Sequence, residues 1–170
     1  TVTNTLWLMQ PITRDTASLL SISLSNKKQT LYSWPCFRPH IAHRHSAESI
    51  KLDIKRHSIW INSGDGLIEF SIDKKTFQHI NGINELLLKP KYDRGVGVTL
   101  DELGNVWFCS YSHGIFIYNP LKDILWPLFS DEDQQQLIGN ENLNIYSSGD
   151  GIMWVNNWSG KGLFQLVPKL

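Results

Sequence analysis

The chain has 170 residues, with 16 Lys+Arg against 16 Asp+Glu and charged residues at 19%. That length suits one domain with a buried core, and the zero net charge excludes the electrostatic footprint of a nucleic-acid binder or of direct contact with an anionic membrane. Two cysteines are too few for a disulfide scaffold, 41% apolar residues are too many for disorder, and seven Trp are unusually many.

No basic stretch followed by an apolar run opens the chain, and no segment approaches the ~20 apolar residues of a membrane span. Thr1 to Met9 already alternates as a strand, with Trp7 between Leu6 and Leu8. An insertion, Gln10 to Thr16, separates it from a second apolar run, Leu19 to Leu24. Asn26 to Gln29 then turns the chain into Thr30–Tyr32. The next stretch, Cys36 to His45, gathers His40, His43 and His45. Its spacing matches no standard metal motif, and Arg38 and Arg44 oppose a cation, so it reads as a solvated loop.

Two units of equal design follow. Ile50–Ile54, Ile59–Ile61, Gly66–Phe70 and Phe77–Ile80 form the first, joined by the turns Lys55–Ser58 and Asp73–Lys75. Val96–Leu100, Val106–Phe108, Gly114–Tyr118 and Ile124–Trp126 form the second, with turns at Asp101–Asn105 and Asn119–Asp123. The period-two alternation of runs such as Ile50–Ile54 and Val96–Leu100, with the β-branched content of the set, argues strands. The connecting segments Asn84–Lys89 and Asp131–Leu137 could each hold one helical turn. A last partial unit comprises Leu143–Tyr146, a turn at Ser147–Gly151, Met153–Val155 and Gly162–Leu166.

Trp7, Trp60, Trp107 and Trp154 recur at intervals of 53, 47 and 47 residues. A glycine opens the next run 6, 7 and 8 residues after the last three of them. A period near 47 with four short strands is the size of one β-propeller blade. With strands A to D and the Trp on B, the count is B-C-D, A-B-C-D, A-B-C-D, A-B-C. The expected fold is all-β: a propeller fragment of about four four-stranded antiparallel blades, near 1–35, 48–80, 94–129 and 141–170, and part of a larger propeller. Both ends already read as strands, so the chain is expected to be a piece of a longer one, its end blades exposing apolar faces. The four repeat Trp fill the wedges between sheets, Trp34 and Trp126 belong to D strands, and Cys109 is a small buried hydrophobe on B.

The stretch Asp101-Glu-Leu-Gly-Asn-Val-Trp-Phe-Cys-Ser-Tyr-Ser-His-Gly-Ile-Phe-Ile-Tyr-Asn-Pro120 resembles the two-component regulator propeller repeat. Ser58 to Asp73 resembles its second half, and Asp150 to Phe164 resembles it more loosely. A small Gly follows Trp-Ile in that repeat, whereas Asn62, Cys109 and Asn156 stand there in this chain. The resemblance implies the periplasmic sensor region of a hybrid two-component histidine kinase, with a non-catalytic role, no cofactor, and an oligosaccharide-like small molecule as ligand. Its other partners would be the remaining blades and a second copy in a homodimer.

In a propeller the B–C turns and D–A loops share one face, where a rigid scaffold carries binding loops. That face would hold Asn62, Ser63, Asp65, Tyr111, His113, Asn157, Trp158 and Lys161. Trp158 is the one Trp in a turn that the repeat does not require, and an exposed indole flanked by amides suits a sugar. No Gly-x-Ser-x-Gly, phosphate loop or His-Glu-x-x-His is present. Gly104–Phe108 also resembles blades of streptogramin lyase, but Gly114–Tyr118 lacks their second Gly and Arg, and Asp53 is the only inward acid. A scaffold for protein partners is the third reading.

Overall fold

The computed structural model describes residues 4–13, 16–35, 49–64, 66–80, 95–110, 114–129, 143–157 and 162–167. The described residues form fourteen strands in four antiparallel sheets. Sheet I holds β1 (Thr5–Thr13), β2 (Thr16–Ser23) and β3 (Gln29–Pro35). Sheet II runs β4 (Ser49–Asp53), β5 (Ser58–Ser63), β6 (Gly66–Ser71), β7 (Thr76–His79). Sheet III runs β8 (Gly95–Leu100), β9 (Val106–Ser110), β10 (Gly114–Asn119), β11 (Ile124–Pro127). Sheet IV holds β12 (Leu143–Ser147), β13 (Met153–Asn157) and β14 (Gly162–Leu166). Sheets I and IV have three strands and sheets II and III four, the B-C-D, A-B-C-D, A-B-C-D, A-B-C order expected from the repeat.

Each sheet sorts its side chains onto two faces because strand residues alternate. In sheet II, Ile59, Ile61, Ile68 and Phe70 point back to sheet I and pack with Ala17, Leu19 and Trp34. Trp60 and Leu67 point forward, where they meet Val106, Phe108, Phe116 and Tyr118 of sheet III. Trp107, Cys109, Ile115 and Ile117 then face Ile145, Met153 and Val155 of sheet IV. At each of the three described junctions the repeat Trp faces the following sheet, and the two residues beside the next Trp face back to it. Trp60 is fully buried and crosses Tyr118 edge-on at 5.8 Å, a favoured aromatic geometry.

The B–C hairpins close tightly. Gly66, Gly114 and Gly162, the first residues of their strands, have φ of 100°, 85° and 104°, a region that side chains rarely enter. In sheet I, the segment expected as an insertion instead prolongs a hairpin: β1 runs to Thr13, and Thr13 pairs with Thr16. The ladder shifts register between Gln10 and Thr13, around Pro11, which has no N–H to give to it. The helical turns expected at Asn84–Lys89 and Asp131–Leu137 lie outside the described residues.

The first strands β4, β8 and β12 lie side by side across the junctions. Gly97 on β8 lies close against β12. A Cβ there would sit 2.8 Å from Asn144 Oδ1 and 2.9 Å from the backbone N of Ile145. At the two ends of the array, among the described residues, no sheet covers the outer faces. Leu6 and Leu8 are 45% and 40% exposed on sheet I, and Tyr146 and Leu163 are 63% and 65% exposed on sheet IV.

Gly97→Ala should lower stability by about 1–3 kcal/mol, because the methyl group meets backbone that cannot swing aside. Urea unfolding followed by tryptophan fluorescence checks this; an unchanged midpoint would contradict the close packing of β8 on β12.

Candidate functional site

The two ends of the sheets carry different polar constructions. At the A–B turn end, a carboxylate from the close of the first strand holds the repeat Trp. Asp53 accepts from Trp60 Nε1 at 3.4 Å and from Arg56 N at 3.1 Å. Asp101 accepts from Trp107 Nε1 at 2.9 Å, from Asn105 Nδ2 at 2.7 Å and from Asn105 N at 2.8 Å. Asn119 Nδ2 donates to Asn105 Oδ1 at 2.7 Å, which ties the neighbouring C–D turn to the same group. Asp53, the inward acid considered for catalysis, is thus buried and occupied with its own sheet.

Sheet IV departs from this plan. Residues 147 and 148, where the acid would stand before Trp154, are both Ser. The local acid, Asp150, is exposed and accepts from Ser148 Oγ and from Ile152 N, so it shapes the turn instead. The Ser148 hydrogen bond holds its carboxyl below the ordinary carboxylate range.

At the same end, Tyr118 OH donates to Asp123 Oδ1 at 2.8 Å. Burial first, and then this hydrogen bond and the charges of Asp123 and Glu69, push the phenol well above its ordinary range, against a smaller lowering by Arg56. Burial alone pushes the Cys109 thiol up in the same way, so it stays a protonated apolar filler.

The opposite end is where the B–C turns lie. Asn62 was expected there as a loop residue available to a ligand. It sits instead on β5, 2% exposed, with its amide turned into the junction with sheet III. Nδ2 donates to Gly97 O at 2.9 Å and to Cys109 O at 2.8 Å. Ser49 Oγ accepts from Val98 N at 3.0 Å beside it. The ladder between β8 and β9 shifts register between Gly95 and Gly97, and such a shift leaves backbone groups without a strand partner. Side chains of sheet II fill those vacancies, so Asn62 is a clamp between sheets. The sequence signal for it was the glycine inside the apolar run Val96–Leu100.

Ser63, Ser110 and Asn157 occupy one repeat position, the third residue after each Trp, and all three are buried. Ser63 Oγ donates to Gly66 O at 3.3 Å across its own turn. Asn157 is therefore in the sheet end, at the close of β13. Asp65, Tyr111, His113, Trp158 and Lys161 lie outside the described residues, as do Cys36 and the loop with His40, His43 and His45. Among the described residues no three His, Cys, Asp or Glu side chains cluster to hold a metal, and no helix is long and apolar enough to cross a membrane.

A shallow depression of about 360 Å³ is lined by Asn144, Ile145, Tyr146, Trp154, Asn156 and Leu163. Asn144, Tyr146, Trp154, Asn156 and Leu163 lie on the forward face of sheet IV, where Trp154 repeats the positions of Trp60 and Trp107, while the Ile145 side chain packs back against sheet III. In the two junctions before it, that face is filled by the next sheet. The depression is accordingly a sheet-packing surface by its place in the repeat.

No family model matches the chain, and no curated protein matches it. Its fold is shared with solved structures. The extracellular domain of BT4673 from B. thetaiotaomicron, assigned to a one-component system, matches with a TM-score of 0.55 and 15% identity over 95% of this chain and 26% of that one. PorZ, a surface component of the type-IX secretion system of Porphyromonas gingivalis, matches at 0.58 and 16% over 89% of this chain and 21% of that one. The extracellular domain of BT3049 from B. thetaiotaomicron, assigned to a hybrid two-component system, matches at 0.56 and 17% over 92% and 19%. The chain thus spans about a quarter or less of each neighbour.

Two outcomes test this account. Asn62→Leu keeps the volume but leaves the Gly97 and Cys109 carbonyls without their donor, so stability should fall by about 2–4 kcal/mol; a change below a few tenths in a urea titration would refute the clamp. The raised Tyr118 phenol predicts a second. Above the ordinary phenol range near pH 10 the unfolded chain loses that proton while the folded chain keeps it, so stability is full below that pH and falls as pH rises beyond it. Tyr118→Phe should flatten that decline, and an equal alkaline decline in both proteins would contradict the assignment.

Proposed function

We propose that this chain is part of the periplasmic sensor propeller of a hybrid two-component histidine kinase. It binds a small ligand, with oligosaccharides as the class to test first, on the face made by its B–C turns and D–A loops. The observation that carries this reading is a coincidence of two independent signals. The repeat Asp101–Pro120 resembles the two-component regulator propeller repeat, and the fold is that of extracellular domains assigned to one- and two-component systems.

The architecture is compatible with such work. At the A–B turn end Asp53 and Asp101 are spent on holding Trp60 and Trp107, which gives a rigid frame. On this reading the segment acts by binding and not by catalysis. With Asn62 withdrawn into the sheet junction, the recognition residues reduce to Asp65, Tyr111, His113, Trp158 and Lys161, with Asn157 supporting the Trp158 turn. An indole there offers a flat apolar face to the CH side of a sugar, while the carboxylate, imidazole and ammonium groups take its hydroxyls.

A thermal-shift screen of oligosaccharides on the propeller containing this chain tests the proposal. At least one sugar should raise the melting temperature, since a ligand that binds only the folded state stabilises it by mass action. Trp158→Ala should abolish that shift with little change in the unliganded melting temperature. The absence of a shift with every sugar, or a shift that survives Trp158→Ala, would overturn the sugar-binding site.

A further inference from the structure

The end of the sheets that holds the Asp pins carries its exposed charge unevenly. The C–D turn of sheet I exposes Lys27 and Lys28, and the A–B and C–D turns of sheet II expose Lys55, Arg56, Lys74 and Lys75. Among the described residues Asp73 is the one exposed acid of those turns, and no carboxylate pairs with Lys27, Lys28, Lys55 or Lys74. Across the next junction the sign reverses. The turns of sheets III and IV expose Glu102, Asp123 and Asp150 against Lys122. The reversal falls on matching positions. Lys27, Lys75 and Asp123 each stand fourth after the close of their strands β2, β6 and β10, with φ of 59°, 59° and 53°.

The same turns also carry apolar tips, where turn chemistry favours polar residues. Leu24, Ile54, Leu103 and Leu121 stand in them, between 46% and 81% exposed. Their place differs from that of Leu6, Leu8, Tyr146 and Leu163, which lie on sheet faces. A further sheet added to the stack would cover a sheet face and leave the turn end open. Exposed apolar residues ringed by charge are the make-up of a protein interface.

The two charged halves do not cancel each other in place. Stacked sheets lie about 10 Å apart, so the halves are centred about 20 Å from one another, while salt at physiological strength screens charges over about 8 Å. Each half therefore shows its own sign to a partner. A foreign acidic protein would gain on sheets I and II and be repelled by sheets III and IV. A second copy is matched throughout. A two-fold axis lying in this surface, along the junction of sheets II and III, sets each basic half on the other's acidic half at once. We propose that the A–B and C–D turn end is a self-complementary docking surface for a second copy of this chain. Ile54 meets the leucines of sheet III across the contact, and the charges set its register. This surface is opposite the ligand face proposed above and stands whether or not a sugar binds there.

The test is sedimentation of the full chain, unmodified and charge-reversed. The unmodified chain should dimerise, and raising NaCl from about 50 to about 500 mM should weaken the dimer about tenfold or more. Lys28→Glu/Lys55→Glu/Lys74→Glu turns the surface net acidic, and Glu102→Lys/Asp150→Lys turns it net basic. Each variant alone should lose the salt-sensitive association, and an equimolar mixture of the two should regain it. Leu121→Ser, at a site too exposed to matter for folding, should weaken the dimer about tenfold. A chain that stays monomeric, including one that binds polyglutamate instead, would overturn the proposal. So would an association that salt does not weaken, reversed variants that fail to pair with each other, or an unchanged dimer in Leu121→Ser. If the Glu102→Lys/Asp150→Lys chain does not fold, the salt dependence and Leu121→Ser decide the question.

Discussion

The structure rests on one constraint: a sheet that is apolar on both faces must have a sheet on each side. Strand alternation puts Trp60 and Leu67 on one face of sheet II, and Ile59, Ile61, Ile68 and Phe70 on the other. Neither set can face water, because burying one such aromatic or aliphatic side chain is worth about 1.5–3 kcal/mol. The sheets therefore stack face to face, and the order of stacking has a direction set by which neighbour the Trp meets. The exposure of Leu6 and Leu8 at one end, and of Tyr146 and Leu163 at the other, is the same rule seen where no neighbour is described.

Stacking of this kind would leave polar groups stranded at both ends of each junction, and the chain handles the two ends differently. At one end an acid on the first strand takes the indole N–H and the turn amides together, so a single Asp fixes a Trp rotamer and a turn. At the other, Asn62 and Ser49 reach across to the shifted ladder of sheet III. The frame that results is stiff where the Asp pins act. Binding loops placed on such a frame lose less entropy on meeting a ligand than loops on a soft one.

Much of this was legible in the residues. The interval of 47 between Trp60, Trp107 and Trp154 marks the repeat, and the glycines that follow them mark the hairpins. The strand count and the three-stranded ends follow from the same spacing. Asn62 was misread because an amide two residues after the Trp looks the same in sequence whether it faces a ligand or a neighbouring sheet. Only the register shift at Gly97, a property of another strand, decides between them. The Gln10–Thr16 segment was misread as an insertion because Pro11 argues against a strand, while at a register shift the missing N–H costs nothing. The pin from Asp101 to Trp107 is visible as a six-residue spacing.

Hydrogen exchange over the whole unmodified chain tests the stacking rule most directly, since protection reports how many neighbours a strand must lose before it opens. The account predicts the slowest amides in β5, β6, β9 and β10, the strands with a sheet on both sides, and faster exchange in β1 and β14. Protection in β1 or β14 equal to that of β9, or uniform protection across all four sheets, would contradict it.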